Sequence, residues 1–138
     1  MLARREHSVH ELASKLQRRG FERGAIDSEL ERLAAAGLQS DARFAELFAE
    51  QRVGRGDGPA KIRAALRERG VDAALAESAL APFDTQWHEQ AQQILERRFG
   101  ADPASDRAEQ ARRARFLQRR GFPGSVITQI LERGTDDE

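Results

Sequence analysis

The sequence predicts an all-α protein made of three tandem three-helix repeats, the first of them truncated at its amino terminus. The hexapeptide Leu16–Phe21 (LQRRGF) returns as Leu117–Phe122, and a weaker copy, Leu66–Val71 (LRERGV), lies between them. The glycines of the three copies stand 50 and 51 residues apart. Self-similarity at a fixed period indicates a repeat architecture, in which units too small to bury their own cores stack on one another.

The spacing of apolar residues indicates that the repeated unit is helical. Phe44, Leu47 and Phe48 follow the i, i+3, i+4 pattern, and Ala91, Ile94 and Leu95 stand at the matching places in the next repeat. This pattern is typical of a helix with one buried face. No stretch alternates with a period of two for long enough to form a strand, and β-branched residues are scarce.

Capping residues, prolines and glycines bound eight predicted helices. Ser8–Glu11 forms a capping box, and Gly20 suits the left-handed position after a helix end. Pro59 suits a first helical turn. In chain order, we expect helices from Ser8 to Arg19, Gly24 to Ala36, Ser40 or Asp41 to about Gly54, Pro59 to the turn at Gly70, Asp72 to just before Pro82, Thr85 to Phe99, Asp106 to Arg120, and Gly124 to Arg133.

The helices group into repeats that each contain a helix, a second helix, a glycine turn and a third helix. This order predicts an incomplete repeat at 1–38, a second at 39–83, and a third at 84–138 with a short acidic tail. The apolar residue after each glycine (Phe21, Val71 or Phe122) is expected to fold back onto the preceding helix. Units stacked end to end give an elongated molecule, with a radius of gyration above the roughly 14 Å of a compact chain of this length.

The formal net charge is zero, but its distribution follows the repeat. The charge alternates along the chain: +3 over 1–24, −4 over 25–50, +4 over 51–70, −5 over 71–96, +5 over 97–120 and −3 over 121–138. The simplest interpretation is a set of solvated helix faces. The alternative is a positive stripe that binds an anionic partner, with these candidate residues: Arg52, Arg55, Lys61, Arg63, Arg67, Arg112, Arg113, Arg119 and Arg120.

Nothing in the sequence indicates catalysis, and we expect no catalytic, cofactor or metal site. The chain has no Cys, and its three His have no ligand spacing. The glycine-rich segment Gly54–Gly58 lacks the Gly-Lys-Ser/Thr ending of a phosphate-binding loop. We predict that it is a flexible hinge that leaves Arg52 and Arg55 free. The absence of an apolar run of about 18 residues predicts a cytoplasmic protein without a membrane span.

Four segments resemble one known family. Ser40–Glu46, Gly58–Ile62 and Leu66–Val71 are similar to the central signature of the RecX family, the regulators of the RecA recombinase, and Phe116–Phe122 is similar to the closing motif of that family. The segments stand in the family's order and at its spacings.

The resemblance implies a curved array of three-helix units that binds the RecA–single-stranded DNA filament in its helical groove. There the protein would hinder filament growth, ATP hydrolysis and strand exchange, and it would not be an enzyme. We expect a monomer that binds single-stranded DNA weakly or through RecA. Two other interpretations stay open, a helical DNA-binding protein and a scaffold that binds proteins alone.

Overall fold

Eight α-helices account for most of the residues that the structure describes. The computed structural model describes residues 6–37 and 39–136, and it contains no strand within those ranges. The helices are α1 (Val9–Arg18), α2 (Arg23–Ala35), α3 (Asp41–Gly54), α4 (Pro59–Glu68), α5 (Ala73–Leu80), α6 (Trp87–Phe99), α7 (Arg107–Arg119) and α8 (Gly124–Asp136). A short 3₁₀ helix, Ala81–Phe83, precedes α6. The predicted all-α class is confirmed, and no helix of the described ranges is long and apolar enough to cross a bilayer.

The repeated hexapeptide forms the same turn at the ends of α1, α4 and α7. Gly20, Gly70 and Gly121 have φ of +88°, +77° and +94°, the left-handed region that glycine enters without steric cost. At each turn the glycine amide donates to the carbonyl three residues back, and the next amide donates to the carbonyl five residues back, at 3.0–3.2 Å. These paired bonds satisfy carbonyls that the helix end leaves open. The predicted glycine turns are confirmed.

The residue after each glycine does not behave in the same way in all three turns. Val71 and Phe122 are buried, with 5% and 3% of their surface exposed, as predicted. Phe21 is 53% exposed, so the prediction is wrong for the first turn. Phe122 packs edge-on against Trp87, with ring centroids 6.4 Å apart. No aromatic ring of the described chain lies against Phe21 in this way.

The described chain forms two compact units. Unit 1 contains the residues up to Glu50 together with Arg63–Leu80, and unit 2 contains Gln51–Ile62 together with the residues from Ala81 onward. In unit 1, α1 packs on α2, and in unit 2, α6, α7 and α8 pack on one another. The predicted repeat boundaries after residues 38 and 83 stay predictions.

Each unit has its own apolar core. The largest fully buried side chains of unit 1 are Leu66 and Leu80, and those of unit 2 are Ile62 and Leu117. Phe99 and Phe116 add an edge-to-face pair in unit 2, with centroids 5.4 Å apart. Burial of side chains of this size contributes about 1.5–3 kcal/mol each.

Candidate functional site

The start of α4 packs against the glycine turn that follows α7, and both belong to unit 2. The Gly58 amide donates to the Arg120 carbonyl at 2.6 Å, and the Ala60 amide donates to the Gly121 carbonyl at 2.9 Å. A Cβ atom on Gly58 would lie 2.6 Å from the Gly121 carbonyl carbon, so the two backbones meet only because both residues are glycine. We call this contact the α4 junction.

The junction corrects the predicted role of the segment before α4. Gly56, Asp57 and Gly58 are buried, and Arg52 is paired with Asp57 rather than free. The prediction of a flexible hinge is therefore wrong. Here Gly58 allows two backbone segments to approach closely. A glycine-rich segment is expected both where the chain is flexible and where backbones meet, so the composition does not distinguish the two.

A single buried carboxylate gathers three basic side chains at this junction. Asp57 is 5% exposed, and its carboxylate oxygens lie 3.3 Å from Lys61 Nζ, 3.4 Å from Arg52 Nη1 and 3.7 Å from Arg120 Nη1. We call these four residues the Asp57 cluster. Arg52 and Lys61 come from the predicted central basic block and Arg120 from the third block, so the structure brings the two blocks together.

The cluster presents positive charge outward. Within these four residues, three cations face one carboxylate. The carboxylate lies inside, whereas the Arg52, Lys61 and Arg120 side chains are 22%, 46% and 35% exposed. Asp57 also precedes the first turn of α4, where the helix dipole favours a negative charge. Held in this way, the cations lose less freedom when they bind a phosphate or carboxylate group.

Four other candidate residues lie outside the cluster. Arg55 and Arg119 are exposed and belong to unit 2, each within two residues of a cluster member. Arg63 and Arg67 belong to unit 1. Arg67 is exposed, and Arg63 forms an ion pair with Glu77 at 2.5 Å.

The remaining two candidates, on α7, differ in exposure. Arg112 is 63% exposed and lies 3.3 Å from Glu109. Arg113 is buried, donates from Nη1 to the Asp102 carbonyl at 2.9 Å, and pairs with Glu109 at 3.2 Å. Its guanidinium also lies over the Phe99 ring. Arg113 therefore holds α7 to the preceding loop and is too buried to face a partner.

Sequence reasoning missed Asp57, the residue that organises the site. The tripeptide Arg55-Gly56-Asp57 gives no functional signal in the sequence, and an aspartate between two glycines is typical of a turn. The available signal was its spacing, since Asp57 stands four residues before Lys61 at a helix start. Within the described ranges, no group of three or more His, Cys, Asp and Glu is placed to hold a metal ion.

Replacing Asp57 with Asn is expected to lower the free energy of unfolding by about 1–3 kcal/mol, because the ion pairs of this buried carboxylate with Arg52, Lys61 and Arg120 are lost. The three remaining cations also repel one another, so the loss should shrink as salt screens them. Urea melts followed by Trp87 fluorescence at low and high salt measure both effects. Asp84→Asn, at an exposed position of unit 2, is the matched control. An Asp57→Asn midpoint equal to the control at low salt would contradict the cluster's electrostatic role.

Comparison with known proteins gives matches along the whole chain. The models for the first, second and third three-helix domains of RecX match residues 1–33, 40–80 and 84–131. The chain belongs to the RecX family. Within the RecX family, the regulatory protein RecX of Halorhodospira halophila is 44% identical over 138 residues, which cover all of this chain and 86% of that protein. The regulatory protein RecX of Pseudomonas syringae pv. tomato is 41% identical over an alignment that covers 99% of this chain and 89% of that protein.

Solved structures agree on the fold. The crystal structure of RecX from Lactobacillus salivarius superposes with a TM-score of 0.83 and 24% identity, over 97% of this chain and 89% of that one. A second crystal structure, of a regulatory protein RecX, gives a TM-score of 0.82 and 23% identity, over 99% of this chain and 66% of that one. The predicted three-helix repeats and family are confirmed, and membership fits a regulator of RecA.

Proposed function

We propose that this chain binds the RecA–single-stranded DNA filament and inhibits filament growth, ATP hydrolysis and strand exchange. The Asp57 cluster, flanked by Arg55 and Arg119, is the proposed contact surface. The observation that supports it is the buried carboxylate of Asp57, which holds three partly exposed cations in fixed positions.

The charge pattern suits a partner that combines protein and nucleic acid. A filament presents phosphates together with acidic side chains, and both bind guanidinium and ammonium groups. Zero net charge disfavours indiscriminate binding to free DNA, because non-specific affinity rises with net positive charge. A local cluster in a neutral chain therefore supports weak binding to free single strands and stronger binding to the filament.

Co-sedimentation with RecA filaments on single-stranded DNA tests the proposal. The protein should enter the pellet with the filament and leave it as salt rises, because contacts to phosphates are salt-sensitive. The matched samples contain RecA without DNA and DNA without RecA.

The three samples separate the proposal from its alternatives. Equal affinity for DNA with and without RecA would favour a helical DNA-binding protein instead. Binding to RecA alone, unchanged by DNA and by salt, would favour a protein scaffold. A protein that stays in the supernatant with filaments at low salt would contradict the proposal.

A further inference from the structure

The start of α1 and the turn after α4 form a second junction, within unit 1. Ser8 Oγ donates to the Arg69 carbonyl at 2.8 Å, and Arg69 Nε lies 3.8 Å from the Glu11 carboxylate. A Cβ atom on Gly70 would clash with the His10 side chain. We call this contact the α1 junction.

The two junctions contain the same kinds of contact. In each, the arginine before the glycine offers its carbonyl to a donor at the helix start, Ser8 Oγ or the Gly58 amide. Its guanidinium approaches a carboxylate at the same helix start, Glu11 or Asp57. The glycine then lets the helix start approach closely. The turn after α4 thus occupies the start of α1, and the turn after α7 occupies the start of α4.

One copy of the turn is left over. The turn after α1 has the same residues, Arg19, Gly20 and Phe21, and the same left-handed glycine. A Cβ atom on Gly20 would meet nothing within 4 Å among the described residues, in contrast to Gly70 and Gly121. Arg19 is exposed, and Phe21, at 53%, is more exposed than Val9 or Leu47, the other exposed large apolar side chains of the described ranges.

Among the three helices that end in this turn, α1, α4 and α7, the start of α7 is the one that no turn of the described chain occupies. Asp106 caps α7 by accepting from the Glu109 amide at 2.8 Å, as Ser8 caps α1 by accepting from Glu11. Asp106 and the next two residues are exposed. Asp106 therefore places an exposed carboxylate at the start of α7, whereas Glu109 is already paired with Arg112 and Arg113.

We propose that the Arg19–Phe21 turn of one copy docks on the start of α7 in a second copy. The two occupied junctions in the chain define the contact: the Arg19 carbonyl accepts from the Asp106 backbone amide, as the Arg120 carbonyl accepts from the Gly58 amide, the Arg19 guanidinium faces the Asp106 carboxylate, and Phe21 becomes covered. Such a contact is heterologous, since it joins different surfaces of the two copies, and it leaves one turn and one helix start free for further copies. It revises the monomer expected from the sequence and does not depend on RecA.

Sedimentation velocity over a concentration series tests the docking. The average mass of the wild-type chain should rise above 15.4 kDa as the protein concentration increases. The rise should begin only at high concentration, because a contact made by one turn buries a small area. Two variants should remain at the monomer mass. Arg19→Glu reverses the guanidinium charge, and Gly20→Asn keeps a residue that tolerates positive φ but places a side chain in the contact.

The control is Arg18→Glu, which makes the same charge change one residue away and should associate as the wild type does. Far-UV circular dichroism confirms that each variant is folded. A wild-type chain that stays at 15.4 kDa at every concentration would overturn the proposal. Association of Arg19→Glu and Gly20→Asn equal to that of the wild type would overturn it as well.

Discussion

Replacing Gly121 with Ala is expected to lower the free energy of unfolding by roughly 2–5 kcal/mol. A residue other than glycine in the left-handed region costs about 1–2 kcal/mol, and Gly121 has φ of +94°. The added Cβ atom would also lie 2.5 Å from the Lys61 backbone nitrogen, and overpacking of this kind costs about 1–3 kcal/mol. Because the obstacle is backbone at a helix start, the junction has to open.

The matched control is Gly20→Ala, because Gly20 lies in the same kind of turn as Gly121 but its turn packs against no helix start of the described chain. Gly20 has φ of +88°, and an added Cβ atom meets nothing within 4 Å in the described chain. Its loss should therefore be the conformational cost alone, about 1–2 kcal/mol. Denaturant melts followed by circular dichroism compare the two variants. Equal losses would show that the α4 junction contributes nothing to stability.

Replacing Leu66 with Ala is expected to cost about 2–5 kcal/mol. Leu66 has no exposed surface, and its carbonyl accepts the Val71 amide that closes the middle turn, so the side chain and the turn are held at the same place. Truncation removes buried apolar surface and leaves a cavity between the helices of unit 1.

Leu47→Ala is the control for this change. Leu47 belongs to the same unit but is 43% exposed, so its truncation should cost well under half as much. The measurement is a denaturant melt followed by circular dichroism, since Trp87 lies in unit 2 and reports on that unit. A Leu66→Ala midpoint equal to that of the wild type would mean that the repeat alignment is misplaced.

Local sequence signals predicted most of the fold. The three glycine turns and the helix boundaries follow from residues close together in the chain, such as the Ser8–Glu11 capping box, which the structure contains with both of its hydrogen bonds. The exposure of Phe21 was not predictable from the repeat. Its burial depends on a partner surface such as the one that Trp87 provides for Phe122, and the hexapeptide contains no information about that partner.

The candidate site was predicted only as a set of basic blocks. Grouping Arg120 with Arg52 and Lys61 requires the contact between Gly58 and Gly121, two residues far apart in the chain. Hydrophobic periodicity does not reveal such a contact, because it depends on two backbones without side chains. Buried Arg113 shows the complementary difficulty. Composition does not separate an arginine that holds a loop from one that binds a partner.

Inhibition of the DNA-dependent ATPase of RecA by the double variant Arg55→Ala, Lys61→Ala tests the proposed binding surface most directly. The control is Lys15→Ala with Arg18→Ala, which also removes one lysine and one arginine but from α1 in unit 1. We expect the Arg55/Lys61 variant to inhibit more weakly than the wild type and the control, with a shallower dependence on salt. The loss of stability should stay below about 1 kcal/mol, because Lys61 is 46% exposed and Arg52 and Arg120 still pair with Asp57. Inhibition equal to that of the wild type, with the same salt slope, would contradict the account and leave the Asp57 cluster a feature of folding alone.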